Sequence, residues 1–597
     1  MQRLTVLGAW SALMLACVLA YLPGLSGPFV LDDFGVLTFL GDRGGVTDWA
    51  TFRAFVFGGN ASPTGRPLSL VTFLVDANNW PAESFPFKRT NLVIHLMNGA
   101  LLGVVVGQIL RFSQYDRQAV RWISLVAVGC WLLHPFLVST TLYVVQRMAQ
   151  LTTLFCFAGM AVYLSGRARM ADNKTQGYLL MSLAVAVFTF LAMIAKENGV
   201  LLPLLIGVVE ITVLAAQRHR LPGLNKLWAT VFLALPVGVI GLYLGAQFFK
   251  DGFFEIVVPR DYSLYERLLT QPRVLVEYLN HWFVPKLYTT GVYQDHFIKS
   301  TGILSPVSTV LSMLLHLAFI VIAIAKRRAW PLFALAVLFY YGSHLLESTV
   351  INLELYFEHR NYFGACFLFL PLVALLYRKA RTRTFVAAAI VFGLILGSFT
   401  HYSATVWQSL PGMVEASARK APTSARAQAQ YATQLFNAGR ADEAVQVLDR
   451  AIDTIPDDNP LLLVNRLIIL CVQNELDLEE FERVAAIASD MRFDGRLINV
   501  YSVFASRVVE QNCPAVSAAN LRLLFAAMLN VPDNQDQSSL EYSHIMYLLG
   551  FAETHYGNAS QAVAAFEASL ESRPGASHAM IMAAQMANVG FFDEALK

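Results

Sequence analysis

The chain has 597 residues, 56% hydrophobic and only 14% charged, with a formal net charge of +2 and a mean hydropathy of +0.50. That composition excludes an ordinary soluble domain and a disordered chain, and the lack of a basic stripe excludes nucleic acid as a partner. What remains is an all-α polytopic membrane protein.

Apolar runs able to cross about 30 Å of hydrocarbon recur along the chain. They lie at 4–25, 91–110, 122–140, 148–165, 178–195, 200–216, 227–249, 303–325, 330–346, 363–377 and 384–401, so about 11 spans are expected. Arg3 precedes the first run and no small-x-small cleavage site follows it, so that run reads as an anchor. Pro23-Gly24 and Gly27-Pro28 then break the helix, and Leu31-Asp32-Asp33 follows at once. A carboxylate pair there is a candidate general base facing a lipid-borne substrate, with solvated loop acids as the plainer account. Asp33 is narrowly preferred to Asp32, although sequence alone does not order them.

Further along, Gly65-Arg66-Pro67-Leu68 offers an Arg for a phosphate or for the Asp pair. Asn91, His95 and Asn98 share one face of the second span, which should look into the bundle. Helix-to-helix hydrogen bonding and substrate contact both fit that face. His134-Pro135 and Gln146-Arg147 bracket a short turn, and Ala195-Lys196-Glu197-Asn198 forms another, where Lys196 and Glu197 could neutralise each other. The amphipathic stretch 264–284, with Arg260, Tyr262 and Arg267 near it, is expected at the membrane interface, capping a groove or merely anchoring there. The densest polar cluster runs from Glu347-Ser348-Thr349 through Glu354 to Glu358-His359-Arg360-Asn361-Tyr362. Arg360 suits a bidentate phosphate contact, with the glutamates orienting it.

Orientation follows from Lys and Arg in alternate loops. Arg111, Arg117 and Arg121, then Arg167, Arg169 and Lys174, then Arg218, Arg220 and Lys226 form one series. Lys326-Arg327-Arg328 and Arg378, Lys379, Arg381 and Arg383 continue it. These loops and the N-terminus are expected in the cytoplasm, with 26–90, 141–147, 196–199, 250–302 and 347–362 outside. An odd number of spans puts the tail outside too, in the periplasm if the membrane is a bacterial inner membrane.

Two domains are expected, 1–401 in the membrane and 402–597 beyond it. Their net charges are about +12 and about −10. Residues 425–458, with Gly439, Ala444, Ala451 and Pro456, and residues 543–576, with Gly550, Gly557, Ala562, Phe566 and Pro574, follow the 34-residue tetratricopeptide period. A third start appears at Ser577, and 460–541 is helical in pattern but matches weakly. The tail is therefore expected to be an α-solenoid. Of six cysteines, Cys471 and Cys513 alone fall in the tail, and sequence leaves their bridging open. No Cys/His spacing suggests zinc.

Taken in order, these motifs resemble multi-spanning GT-C glycosyltransferases with tetratricopeptide tails. They are Leu31-Asp32-Asp33, Gly65-Arg66-Pro67-Leu68, the Asn91/His95/Asn98 face, His134-Pro135 with Gln146-Arg147, Ala195-Lys196-Glu197, the stretch 266–285 and the stretch 347–362. The chain looks like the bacterial relatives of the eukaryotic transmembrane-and-tetratricopeptide O-mannosyltransferases. The resemblance implies a GT-C bundle that moves a sugar from a polyprenyl-phosphate donor to a hydroxyl, Ser or Thr of an exported protein such as a pilin, outside the membrane. It implies that Asp32 or Asp33 is catalytic. Arg66, His95, Arg147, Lys196, Glu197, Glu358, His359, Arg360 and Tyr362 are the candidates for donor-phosphate and substrate contacts. No metal ligand is assigned, and a divalent metal is left open as cofactor. The alternatives are a transferase acting on a glycolipid or envelope glycan, and a transporter or scaffold with a docking tail. A transporter should carry midplane charges and an inverted repeat, and neither is visible.

Overall fold

The computed structural model describes residues 2–596 except 218–220, 251, 256–259, 290, 456–457 and 511–512. Arg218, Arg220 and Pro456, used above, lie outside the described residues. Among the described residues the regular structure is entirely helical. The chain forms two compact units, one of Met1–Val292 with Phe297–Met413, the other of Tyr293–His296 with Val414–Lys597. The expected boundary at 401 falls inside the helix Thr382–Val406.

Among the described residues of the first unit, eight helices are long and apolar enough to cross a membrane, from Val6–Ser26 to Thr382–Val406. The longest, Ser84–Phe112, has 29 residues and reaches about 44 Å. Asp116, Asn173 and Asn225 start three helices by accepting backbone N–H groups at their first turns. Val144–Arg169 and Glu197–Gln217 are mostly buried, whereas Lys226–Lys250 and Thr382–Val406 bare apolar side chains such as Leu242, Phe249 and Leu394. In water such faces would be a liability; against acyl chains they cost nothing.

The count of spans differs from the expected 11 for local reasons. Residues 122–140 become two helices, Arg117–Leu132 and Pro135–Leu142, bent by 55°, and a ninth span if counted together. Pro135 has no N–H to continue the first, and His134 turns extended, accepting the Phe136 N–H on its Nδ1. The expected span 330–346 shortens to Pro331–Ser343, and 363–377 is interrupted between Asn361–Gly364 and Leu370–Lys379.

The second unit is a run of helix pairs. Pairs begin at Ala425, Pro460, Ile498, Leu540 and Ala576, so the weakly matching stretch 460–541 is helical throughout its two pairs. Asn459, Asp477 and Ser539 cap their helices by side-chain acceptance. Gly439, Asn474, Gly557 and Gly590 take the left-handed φ that reverses the chain between helices. Gly550 is needed for a different reason. A Cβ there would stand 2.5 Å from the Phe566 ring, so only glycine lets Leu540–Tyr556 and Ala559–Ser572 close on each other.

Gly550→Val should therefore overpack that contact and cost about 1–3 kcal/mol, read as earlier proteolysis of the tail on heating. Adding Phe566→Ala should return part of the loss; no recovery would mean the overlap is not the cause.

Candidate functional site

The loop after the first span is pinned by its own carboxylate. Asp33 is fully buried, its Oδ2 accepting the Val30 N–H at 3.0 Å and its Oδ1 the Val145 N–H at 2.8 Å. Burial pushes its pKa up to about 7 against the pull of those two amides and of Lys88, with Asp32 adding to the rise. Asp32 is the opposite case. Its side chain is exposed, and its backbone N–H donates to the Tyr143 hydroxyl at 2.9 Å. Leu31, just before the pair, holds φ +40°, a conformation that a branched side chain takes only when its surroundings enforce it.

A second element is the irregular stretch 344–357, gripped by the helix Leu264–Phe283. Arg267 donates to the carbonyls of Glu347 at 2.6 Å, Thr349 at 2.8 Å and Leu353, which also takes the Tyr262 hydroxyl. Gln271 donates to Leu355 O at 2.9 Å, and Tyr278 exchanges hydrogen bonds with Phe357 O and N. Residues 267, 271 and 278 lie on one helix face, which is buried against this loop. That face serves to clamp the loop, a role the interfacial expectation did not contain. Arg260 adds an ion pair to Glu354 at 2.6 Å.

The clamped loop delivers the charged cluster. Lys196 Nζ meets Glu347 Oε1 at 2.8 Å, both buried. Burial alone would raise the Glu347 pKa, but Lys196, Arg360 and His359 hold that carboxyl well below the usual carboxylate range. Arg360 donates to the carbonyls of Glu354 at 2.7 Å and Leu355 at 3.2 Å and lies 5.5 Å over the Phe357 ring. Its Nε and the Glu347 Oε2 are buried without a partner, an expensive state for polar atoms. Burial, with Lys196 beside it, pushes the His359 pKa well below the ordinary value. Lys196, Asn198, Glu347, His359, Arg360 and Tyr362 all line one small cavity. His359 also lines a second, with Glu358, Tyr143 and Gln146. Burial pushes the Glu358 pKa up to about 7, offset by the hydroxyls of Ser139 and Thr289 and by Lys286. Tyr143 thus joins the second cavity to Asp32.

The remaining candidates sit elsewhere. Lys196 and Glu197 do not neutralise one another, because each has its own partner. Glu197 takes Arg66 in a two-pronged pair, Nη2 to Oε2 at 2.8 Å, and also the hydroxyls of Ser62 and Thr64. Arg147 is corrected from a phosphate ligand to a structural brace. It is fully buried and committed to Asp76 at 2.6 Å, Asn91 at 2.7 Å and the carbonyls of Thr72 and Phe87. His95 and the Tyr362 hydroxyl are spent on each other at 2.7 Å, with Leu132 O on the other His95 nitrogen and Asn98 on the same hydroxyl. Arg66, His95 and Arg147 line neither cavity. Sequence reasoning passed over Tyr143, Gln271, Tyr278 and Lys88. Lys88 is a buried cation 5.9 Å from the Trp407 ring, and only its place just after Phe85-Pro86-Phe87 could have drawn attention to it. Among the described residues no three His, Cys, Asp or Glu side chains converge to hold a metal ion.

No protein-family model matches the chain, and a search of the curated proteins finds no match.

Arg267→Gln should release the carbonyls of Glu347, Thr349 and Leu353. With charged hydrogen bonds worth about 1.5–3 kcal/mol each, protease cleavage within 344–357 should rise at least roughly tenfold. Unchanged cleavage would show that the loop is held by other contacts.

Proposed function

We propose that this chain is a membrane glycosyltransferase of the GT-C type. It moves a sugar from a polyprenyl-phosphate donor to a hydroxyl, Ser or Thr of an exported protein, outside the inner membrane. The bundle spans that membrane with its N-terminus in the cytoplasm, and the tail is a periplasmic tetratricopeptide solenoid. The observation that carries the reading is an exposed carboxylate on a fixed loop, joined by Tyr143 to one cavity, which shares His359 with a second cavity lined by Lys196 and Arg360.

In this reading Asp32 is the base, which reverses the preference drawn from sequence. Both oxygens of Asp33 are occupied by backbone amides, so that residue fixes the loop, while the Asp32 carboxylate is exposed beside the Tyr143 hydroxyl, where an acceptor hydroxyl can reach it. The acceptor oxygen attacks the sugar C1 as its proton passes to Asp32, and the C1–oxygen bond breaks with its electron pair on the lipid phosphate. Arg360 and Lys196 lie where a leaving phosphate would gain most, since Glu347 balances only one of the two charges. The apolar, poorly buried helices supply the surface that a polyprenyl chain would follow. Helix pairs with glycine turns and buried Ala444, Ala451 and Ala562 support the solenoid.

Transfer assayed in membranes with a polyprenyl-phosphate sugar and a Ser/Thr acceptor tests the assignment. Asp32→Asn should lose about 10²–10⁴-fold in turnover at unchanged expression, as expected for a removed general base. Arg360→Gln should lose turnover together with protection by the donor. Full transfer by Asp32→Asn would sink the catalytic reading.

A further inference from the structure

The second unit contains two thiols that nothing in the proposed chemistry uses. Cys471 stands in the last turn of Pro460–Gln473, and Cys513 in the connection between Ile498–Val509 and Ala518–Met528. Both are buried in one apolar core with Leu467, Phe504 and Leu521. Their side chains are in direct contact, the Cys471 S–H donating to the Cys513 sulfur, which also accepts the Val516 N–H. The other four cysteines belong to the first unit.

We infer that Cys471 and Cys513 are joined by a disulfide in the mature protein, stapling the middle helix pairs of the tail. The bond closes a loop that contains the helices Leu478–Asp490 and Ile498–Val509, within the stretch 460–541 that matches the repeat weakly. A cross-link of that kind stabilises chiefly by restricting the unfolded chain, and longer loops gain more. Such a bond persists in an oxidising compartment, which agrees with a tail outside the cytoplasm. In the closed core the Cys471 S–H and the Val516 N–H both point at the Cys513 sulfur, which holds the two sulfurs side by side.

The oxidant is a protein disulfide of the compartment, acting before the core closes over both sulfurs. One of the two thiols, as its thiolate, attacks one sulfur of that disulfide and expels the other as thiolate. The second thiol then loses its proton and attacks the protein sulfur of the mixed disulfide, releasing the oxidant as a dithiol. Two electrons and two protons pass from the pair to the oxidant.

Full-length protein, acid-quenched in membranes and denatured, is labelled with a polyethylene-glycol maleimide before and after reduction. Four adducts before reduction and six after are expected. Cys471→Ser and Cys513→Ser should each give five in both conditions. Six adducts without reduction overturn the proposal, and so does a gain on reduction that survives in both variants. As an independent reading, reductant should lower the temperature at which the tail becomes protease-sensitive in the native chain, by several degrees, but not in Cys471→Ala/Cys513→Ala. An equal shift in both counts against the bridge.

Discussion

Backbone that is neither helix nor strand carries unpaired carbonyls, and inside an apolar bundle each of them must find a donor or cost several kcal/mol. The stretch 344–357 is such backbone, and Arg267, Gln271, Tyr278 and Tyr262 supply its donors. The arrangement fixes more than the loop itself. Glu347 stands near its start and His359 and Arg360 just past its end, so one restrained segment supplies these three to the cationic cavity, opposite Thr152, Thr153 and Lys196. Leu355 O receives Gln271 and Arg360 together, which ties the guanidinium to the same clamp.

Charge in the bundle follows two regimes. Arg66 with Glu197 is a half-exposed ion pair, while Arg147 with Asp76 and Arg167 with Glu210 are buried ones. Buried pairs of this sort add little net stability, but breaking one strands a charge, so they hold geometry. Asp33 and Arg360 are treated otherwise. Their hydrogen bonds run to backbone amides and carbonyls, whose dipoles fix position without cancelling a full charge. Asp33 answers by shifting its proton affinity. The Arg360 guanidinium lines the cavity beside Lys196.

The helical class and most of the spans were legible because hydropathy over some twenty residues is a strong signal. The interruptions were harder to see. Pro135 and the turn after Gly364 break runs that are apolar throughout, and composition does not register a bend. In the tail, Asn474 does the work that Gly439 and Gly557 do elsewhere, so a search for turn glycines loses the pair beginning at Pro460. At the site, residue type drew attention to Glu347, Glu358 and Arg360, since such residues rarely sit in apolar surroundings without cause; Glu347 and Arg360 line one cavity and Glu358 the other. It could not assign partners. Lys196 and Glu197 are adjacent in sequence yet bond to residues far apart along the chain, and Arg147 looked available because its ligands are mostly carbonyls.

Gly27 lies so close to the Trp407 carbonyl that a Cβ there would come within 1.9 Å of its oxygen, and Lys88 fills the space beside both. The loop that carries Asp32 and Asp33 therefore rests on the final turn of the last apolar helix, several hundred residues away in sequence. The practical boundary of the bundle is set by that contact. A shortened chain that stops within Thr382–Val406 would keep every apolar run but remove the floor beneath the carboxylate loop, and expose a buried ammonium group. Any such chain has to extend past Trp407 to be a fair sample of the first unit.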